Sequence, residues 1–169
     1  MFRFVFSGLE NRGQLRDLLD FLRLQNLGYP RYMEWVGRAE AELEAGYKQA
    51  ILAFSEGRLV GNVLYQPHKS LKGLLEIKNV RVHPSVRMRD FGRFMLEQVP
   101  AENQGFIGAI GDVRPDQPGL VHFLERCGYV QAGIIPLYDE QKEVLLIKPF
   151  QQNLKQVLAC VTPIFSLHA

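Results

Sequence analysis

The stretch from Leu75 to Gln98, LEIKNVRVHPSVRMRDFGRFMLEQ, decides the fold that this sequence predicts. Ile77, Val80 and Val82 favour a strand in its first part. Pro84 ends that strand, because proline cannot donate to a sheet ladder. The apolar residues then change to a helical period and place one face of a helix at Met88, Phe91, Met95, Leu96 and Val99.

A basic turn joins the predicted strand to the predicted helix. The first backbone N–H groups of a helix have no partner inside it, and the helix dipole places partial positive charge there. Arg87, Arg89 and Arg93 fall in the same turn. The order of strand, basic turn and helix start therefore predicts an anion site. The alternative from the residues alone is an ordinary solvated basic surface.

The same residues resemble the acetyl-CoA loop of the GCN5-related N-acetyltransferases, the GNAT superfamily. That loop commonly reads Arg or Gln, two variable residues, Gly, one variable residue, and Gly or Ala, after a strand that ends in V-x-P. Here Val82-His83-Pro84 ends the strand, and Arg87 and Gly92 fit the first and last loop positions. Asp90 stands where the family's first glycine would be. Further along, FLERCGY at residues 123–129 resembles the family's late helix.

The rest of the chain predicts two helices before this region and strands around it. Asn11 is placed to cap the first helix, whose apolar stripe is Leu15, Leu18, Leu19, Leu22 and Leu24. From Phe2 to Phe150 the predicted order is β-α-α-β-β-β-α-β-α-β-β, the order expected of the GNAT fold. That fold is α/β (α+β), with a mixed, mostly antiparallel central sheet flanked by helices.

We predict one GNAT-like domain over residues 1–150 and a C-terminal tail over residues 151–169. The tail has an apolar stretch around Val157 to Phe165, which we expect to pack on the domain or at an oligomer interface, as in a homodimer. Pro163 argues against one continuous helix there.

The resemblance implies that acetyl-CoA is the acyl donor. Backbone N–H groups from Met88 to Arg93 would hold its pyrophosphate, and backbone groups of Val80–Val82 would pair with its pantetheine arm as an added strand does. The carboxylate of Asp90 opposes phosphate unless it turns outward or pairs with an arginine; alternatively, Asp90 caps the helix. The predicted cofactor-binding residues are Val80, Arg81, Val82, Arg87, Met88, Arg89, Asp90, Phe91, Gly92, Arg93 and Gln117.

Glu76 and Tyr138 are the predicted catalytic residues. Glu76 lies six residues before Val82, which resembles the placement of a catalytic glutamate in some members; its alternative is a strand glutamate paired with a surface cation. Leu124 stands where many members have a proton-donating tyrosine, and leucine cannot donate. Tyr138 and Tyr129 are the nearby substitutes, although Tyr129 is expected to pack in the core.

The predicted function is direct transfer of an acetyl group to a primary amine of a small-molecule or peptide acceptor. Acidic residues of the last hairpin, Asp139 and Glu140, could attract a cationic amine. The alternative is a non-catalytic GNAT-like module that binds CoA as a sensor or acts through protein contacts, which the departures at Asp90 and Leu124 favour.

The amino-acid composition limits the kinds of partner that the sequence predicts. A net charge of +2 is too small to predict a nucleic-acid partner, and no apolar run reaches membrane-spanning length. Four histidines show no metal-ligand spacing. Two cysteines, Cys127 and Cys160, form no C-x-x-C pair, which is typical of reduced thiols in the cytoplasm.

Overall fold

The computed structural model describes residues 4–24, 29–138, 141–150 and 154–166, with the side chains of Tyr138 and Ser166 left out. Its strands are β1 (Phe4–Gly8), β2 (Gln49–Ser55), β3 (Arg58–Pro67), β4 (Leu74–Val82), β5 (Gly108–Val113), β6 (Val130–Tyr138) and β7 (Gln141–Pro149). Its helices are α1 (Arg12–Arg23), α2 (Tyr32–Glu44), α3 (Phe91–Glu102), α4 (Pro118–Arg126) and α5 (Leu154–Ser166).

The seven strands form one sheet in the order β1-β2-β3-β4-β5-β7-β6. The pairs β1–β2, β2–β3, β5–β7 and β6–β7 are antiparallel, whereas β4 and β5 run parallel. A parallel pair needs a crossover, which α3 provides between β4 and β5. The predicted fold class, a mixed and mostly antiparallel sheet flanked by helices, is confirmed.

Two compact units make up the chain, and β4 contributes to both of them. The first unit comprises Met1–Gln66 and Lys78–Gln98, and the second comprises Pro67–Ile77 and Val99–Ala169. The boundary on β4 falls between Ile77 and Lys78, within the stretch on which the sequence prediction depends.

In the first unit, α1 and α2 pack on the residues of β2 and β3 that face them. Asn11 caps α1 as predicted, since its side-chain oxygen accepts a hydrogen bond from the Gln14 N–H at 3.0 Å. The predicted stripe is buried except for Leu24, which is 85% exposed. The prediction for Leu24 was wrong because the helix ends at Arg23, so the 3.6-residue period no longer applies.

In the second unit, α5 packs on β6 and β7. Val157 and Val161 of α5 are buried against Ile110, Leu145 and Ile147 of the sheet. The prediction that Pro163 interrupts this segment was wrong, because the helix runs through it to Ser166. The proline lies in the last turn, so it removes only one helical hydrogen bond near an end that frays in any case. No helix in the described ranges is both long enough and apolar enough to span a membrane.

Candidate functional site

The end of β4 leads into a tight, ordered turn. Strand β4 ends at Val82, as predicted, and the His83 N–H donates to the Val60 carbonyl of β3 at 2.7 Å. A single 3-10 turn follows over Pro84–Val86, and its Val86 side chain is buried. The His83 ring accepts from the Ser85 N–H at 3.2 Å. These contacts fix the chain at the point where the basic turn begins.

The basic turn contains two non-glycine residues with left-handed backbone. Met88 has φ +62° and Asp90 has φ +57°. The prediction that Met88 lies on the apolar helix face was wrong, since it is 92% exposed and precedes the helix. Asp90 adopts the left-handed conformation that glycine takes most easily and that aspartate tolerates better than most residues. Asp90 thus replaces the first glycine of the family's loop, but its backbone keeps a conformation that glycine adopts easily.

Helix α3 begins immediately after this turn. The Phe94 N–H donates to the Asp90 carbonyl at 2.9 Å, which makes Asp90 the residue before the first helical turn. The N–H groups of Phe91, Gly92 and Arg93 are in that first turn, which has no intrahelical acceptors for them. Within the described chain the Asp90 carboxylate makes no hydrogen bond or ion pair, so it neither caps the helix nor pairs with an arginine.

The side chains of the turn divide into an anchor and an exposed basic set. Phe91 is buried, and its ring packs edge-on against Phe4 at 5.0 Å and tilted against Phe6 at 5.6 Å. Arg87 and Arg89 are exposed, and Arg93 donates to Glu97 at 2.8 Å along the helix. The aromatic anchor therefore fixes the start of α3 and leaves the arginines at the surface.

The second half of β4 carries a buried arginine. Arg81 is 8% exposed, and its Nη1 donates to the Tyr32 hydroxyl at 3.4 Å. That hydroxyl in turn donates to the Leu22 carbonyl at 2.8 Å. Burial lowers the pKa of Arg81 and raises the pKa of Tyr32. The Arg81 side chain thus ties β4 to α1 and α2, and only its backbone is left for the predicted cofactor contact.

The ladder between β4 and β5 stops before the predicted pantetheine-binding residues. It runs from Leu74↔Gly108 to Ile77↔Gly111. Val80, Arg81 and Val82 lie beyond its end, and the two valines are half-buried. Glu76 lies within the ladder, opposite Ile110, and is half-buried.

The remaining predicted residues belong to the second unit. Gln117 precedes α4, is half-buried and makes no side-chain capping bond. Tyr138 is the last residue of β6, paired with Gln141, and its side chain lies outside the described part of the structure. Asp139 and Glu140 are also outside the described residues. Tyr129 is buried, as expected, and burial raises its pKa, so it is poorly suited to donate a proton.

Glu143 is a candidate functional residue that the sequence analysis missed. It is 1% exposed, and both of its carboxylate oxygens lack a hydrogen-bond partner within the described residues. Burial raises the pKa of its carboxyl group to about 7, and Asp112 also raises it, against a lowering by Arg114. One sequence signal pointed to it: alternation along β7 places Glu143 on the same face as the buried Leu145 and Ile147.

No cluster suited to a metal ion was found in the described ranges. There, no group of three or more histidine, cysteine, aspartate or glutamate side chains lies close enough to hold an ion.

Comparison with known families agrees with this fold. The model of the acetyltransferase (GNAT) family matches residues 15–129. The chain belongs to that family, as its motif predicted. Its activity is accordingly that of an acyltransferase which acetylates an amine. The search of curated proteins gave no significant match.

Solved structures share the fold at low sequence identity. A GNAT-family protein from Desulfovibrio desulfuricans superimposes with a TM-score of 0.75 at 13% identity, covering 87% of this chain and 99% of its own. An aminoglycoside 6'-acetyltransferase type Ii gives 0.71 at 21% identity, covering 86% and 96%. The ribosomal-protein-S18-alanine N-acetyltransferase from Escherichia coli gives 0.66 at 16% identity, covering 87% and 94%. At these identities the likeness concerns the fold.

Proposed function

We propose that the chain takes its acetyl group from acetyl-CoA and holds the diphosphate of that cofactor at the turn from Arg87 to Arg93. The observation that carries this proposal is the backbone of the turn, with left-handed residues at Met88 and Asp90 directly before the start of α3. Such a turn exposes successive N–H groups at the positive end of a helix, where an anion is stabilised. Arg87 and Arg89 add long-range attraction for a multiply charged ligand.

The pantetheine arm is proposed to bind the backbone of Val80–Val82. These residues lie beyond the end of the β4–β5 ladder, so their edge is suited to bind an extended arm as a further strand. Gln117, half-buried ahead of α4, is proposed as a side-chain donor to the same cofactor. Pairing with the strand would hold the thioester in position for attack by the amine. Such positioning is the main way in which an enzyme of this kind accelerates transfer.

Direct transfer needs little acid–base chemistry. The neutral amine attacks the thioester carbonyl, the carbon–sulfur bond breaks and the CoA thiolate leaves, while the amine proton passes to a base. Glu76, half-buried on β4, is proposed as that base, directly or through one water. Tyr138 is proposed as the donor of a proton to the thiolate. A thiolate is a good leaving group even without protonation, so the reaction depends less on this proton donor than on the base.

The acceptor is proposed to be a primary amine of a small molecule or peptide. The similar structures include enzymes named for an aminoglycoside and for an alanine of a ribosomal protein, so they do not choose between a small molecule and a peptide. We further propose that residues 1–150 form one catalytic domain, with residues 151–169 as its tail. Cys127 and Cys160 are both free thiols, which supports a cytoplasmic location.

One experiment separates an enzyme from a non-catalytic module. Acetyl-CoA should raise the melting temperature, because it binds only the folded state, and CoASH should be released when a suitable amine is added. Glu76→Gln should lower the rate of release and flatten its rise with pH, since the glutamine cannot accept a proton. Glu44→Gln, an exposed position on α2, is the matched control and should leave both unchanged.

Each other outcome is informative. No thermal shift at millimolar acetyl-CoA would overturn the cofactor site. A shift without CoASH release across a wide amine panel would favour a CoA sensor. An unchanged pH profile in Glu76→Gln would remove Glu76 from the mechanism.

A further inference from the structure

Aromatic rings join the first strand of the sheet to the start of α3. Phe91 is the first residue of α3 and is 4% exposed. Its ring lies edge-on to Phe4, with the ring centroids 5.0 Å apart, and is tilted against Phe6 at 5.6 Å. The Phe6 ring is also 6.0 Å from the ring of Phe94, three residues further along α3. Two rings of β1 therefore contact the first turn of α3, which begins where the diphosphate is proposed to bind.

The sheet has small residues under α3 and large rings only beside it. Directly paired residues share a face of the sheet; Phe6 of β1 is opposite Ala53 of β2, and Ala53 is opposite Gly61 of β3. A Cβ at Gly61 would be 2.9 Å from the Cε atom of Met95 on α3, so the helix lies close to the sheet there. With α3 seated over these small residues, the rings of Phe4 and Phe6 cover its flank at the edge of the sheet.

The turn before α3 is held between two buried side chains. Val86 is buried ahead of the turn and Phe91 is buried after it, while Met88 between them is 92% exposed. Both Met88 and Asp90 have left-handed backbone, which persists at residues other than glycine only when the surrounding structure imposes it. Phe91 directly follows Asp90, so the packing of its ring on β1 is placed to maintain that backbone.

Strand β1 is a short element at the edge of the sheet. It has five residues, Phe4–Gly8, and within the described chain it pairs only with β2. Phe4 is 40% exposed, although its partner Phe91 is buried. Elements with few buried contacts open at a lower free energy than the centre of a sheet. The rings that hold the start of α3 therefore come from an element that opens more easily than the strands beside it.

We propose that Phe4 and Phe6 are positioning residues for acetyl-CoA, which act through Phe91 to keep the diphosphate-binding turn in its binding conformation. This inference rests on the proposed function of that turn. A loosened turn has to be reordered when the anion binds, which lowers the affinity. Linkage makes the effect reciprocal, so bound acetyl-CoA stabilises β1 against opening by the same factor. Cofactor affinity thus depends on an edge strand that makes no proposed contact with the cofactor.

Phe6→Leu tests the proposal, because leucine keeps an apolar side chain but removes the ring that contacts Phe91 and Phe94. Calorimetry should show that acetyl-CoA binding is weakened about fivefold. In steady-state kinetics the KM for acetyl-CoA should rise by a similar factor, while kcat at saturating cofactor stays close to that of the wild type. A purely destabilising change would instead reduce the amount of folded enzyme, which lowers kcat and leaves the KM unchanged.

Two matched controls separate positioning from general packing. Val5→Ala alters the same strand, but alternation points Val5 to the opposite face, so the acetyl-CoA affinity should be unchanged. Phe54→Leu makes the same substitution at another half-buried phenylalanine, on the neighbouring strand, which packs against the cluster of α1 and α2. It should lower the melting temperature about as much as Phe6→Leu does and leave the acetyl-CoA affinity unchanged.

Hydrogen exchange gives a readout that does not need the cofactor. The Phe94 N–H donates to the Asp90 carbonyl at 2.9 Å, so its exchange rate reports on the first turn of α3. That rate should be several-fold higher in Phe6→Leu than in the wild type and unchanged in Phe54→Leu. In the wild type, acetyl-CoA should slow the exchange of the β1 amides that pair with β2.

Equal acetyl-CoA affinity in the wild type and Phe6→Leu would overturn the proposal and leave the cofactor site standing. An equal weakening in Phe54→Leu would also overturn it, because general packing would then explain the effect. No binding of acetyl-CoA by the wild type would overturn the proposed function and, with it, the role of the two rings. If Phe6→Leu does not fold, Phe4→Leu decides the question by the same measurements, with a smaller expected effect because Phe4 is partly exposed.

Discussion

Asp90 combines two features that oppose each other in a phosphate-binding turn. Its φ of +57° gives the turn the backbone that exposes N–H groups, and its carboxylate adds negative charge beside them. Met88, two residues earlier, has nearly the same φ, but its exposed side chain carries no charge. This pair lets the effect of backbone strain be separated from the effect of charge.

We predict that Asp90→Gly binds acetyl-CoA more tightly than the wild type, by severalfold, because it keeps the left-handed backbone and removes the repulsion. Asp90→Asn should give most of the same gain, since asparagine also tolerates that backbone. Met88→Gly relieves similar strain without a charge change and should leave the affinity nearly unaltered. Calorimetry at two salt concentrations measures these effects, and weaker binding in Asp90→Gly would mean that the carboxylate supports the site.

Two buried ionisable residues differ in whether hydrogen bonds compensate for the loss of hydration. Lys48, 3% exposed in the first unit, donates to Gln66 at 2.6 Å and is 2.9 Å from the Glu42 carboxylate. Glu143 in the second unit is as deeply buried but makes no hydrogen bond within the described chain. The loss of hydration is therefore compensated at Lys48, whereas the described residues offer the Glu143 carboxylate no hydrogen bond.

At the scale of elements, the packing of α5 depends on the absence of a side chain on β5. A Cβ at Gly108 would be 2.8 Å from the Lys148 carbonyl oxygen of β7 and 2.8 Å from a methyl group of Val157 on α5. The first of these contacts is backbone within the sheet, which cannot move without breaking the ladder. Gly108 is therefore required by close approach and not by an unusual φ.

Gly108→Ala should lower the free energy of unfolding by about 1–3 kcal/mol, the usual cost of overpacking a well-filled core. Gly105→Ala is the matched control, because a Cβ at Gly105 would have no atom within 4 Å. Its free energy of unfolding should differ from that of the wild type by no more than about 0.5 kcal/mol. Urea unfolding measures both. Equal stabilities for the two variants would show that α5 and β7 adjust freely around Gly108.

At the scale of the whole molecule, Glu143 should make stability depend on pH in an unusual direction. Its carboxyl group has a pKa of about 7 in the folded protein and an ordinary value, near 4.5, when unfolded. A raised carboxyl pKa adds stability that is present in full below the unfolded value and is lost as pH rises through the folded value. The loss of stability should fall between about pH 4.5 and pH 7 and amount to at most about 3.4 kcal/mol.

Urea unfolding of Glu143→Gln should therefore show a flatter dependence on pH than the wild type across this window. The control is Glu125→Gln: hydrogen bonds from Gln131 and His122 lower the pKa of Glu125, so it does not titrate in the same interval. A wild-type curve that rises steadily from pH 5 to pH 7, with no difference in the variant, would contradict the raised pKa.

Much of the fold could be predicted from patterns of residues that lie close together in the sequence. The bounds of β4, the cap at Asn11 and the buried leucine stripe of α1 depend on neighbours within a few residues, which the sequence lists directly. The start of α3 was misplaced because an apolar residue at Met88 fits the helical period, whereas a positive φ at that residue leaves no trace in residue type. The effect of Pro163 was predicted wrongly because the destabilisation that a proline causes depends on its distance from the end of the helix.

The sequence by itself determined the order of the elements, the position of the basic turn and the family, since these follow from periodicity, turn chemistry and one motif of adjoining residues. The tertiary structure decided which charges are buried and what surrounds them. Glu143 acquires its acidic surroundings from the pairing of β5 with β7, more than 30 residues apart in the chain. Desolvation and through-space repulsion act on that arrangement, and neither can be read from a list of neighbours along the chain.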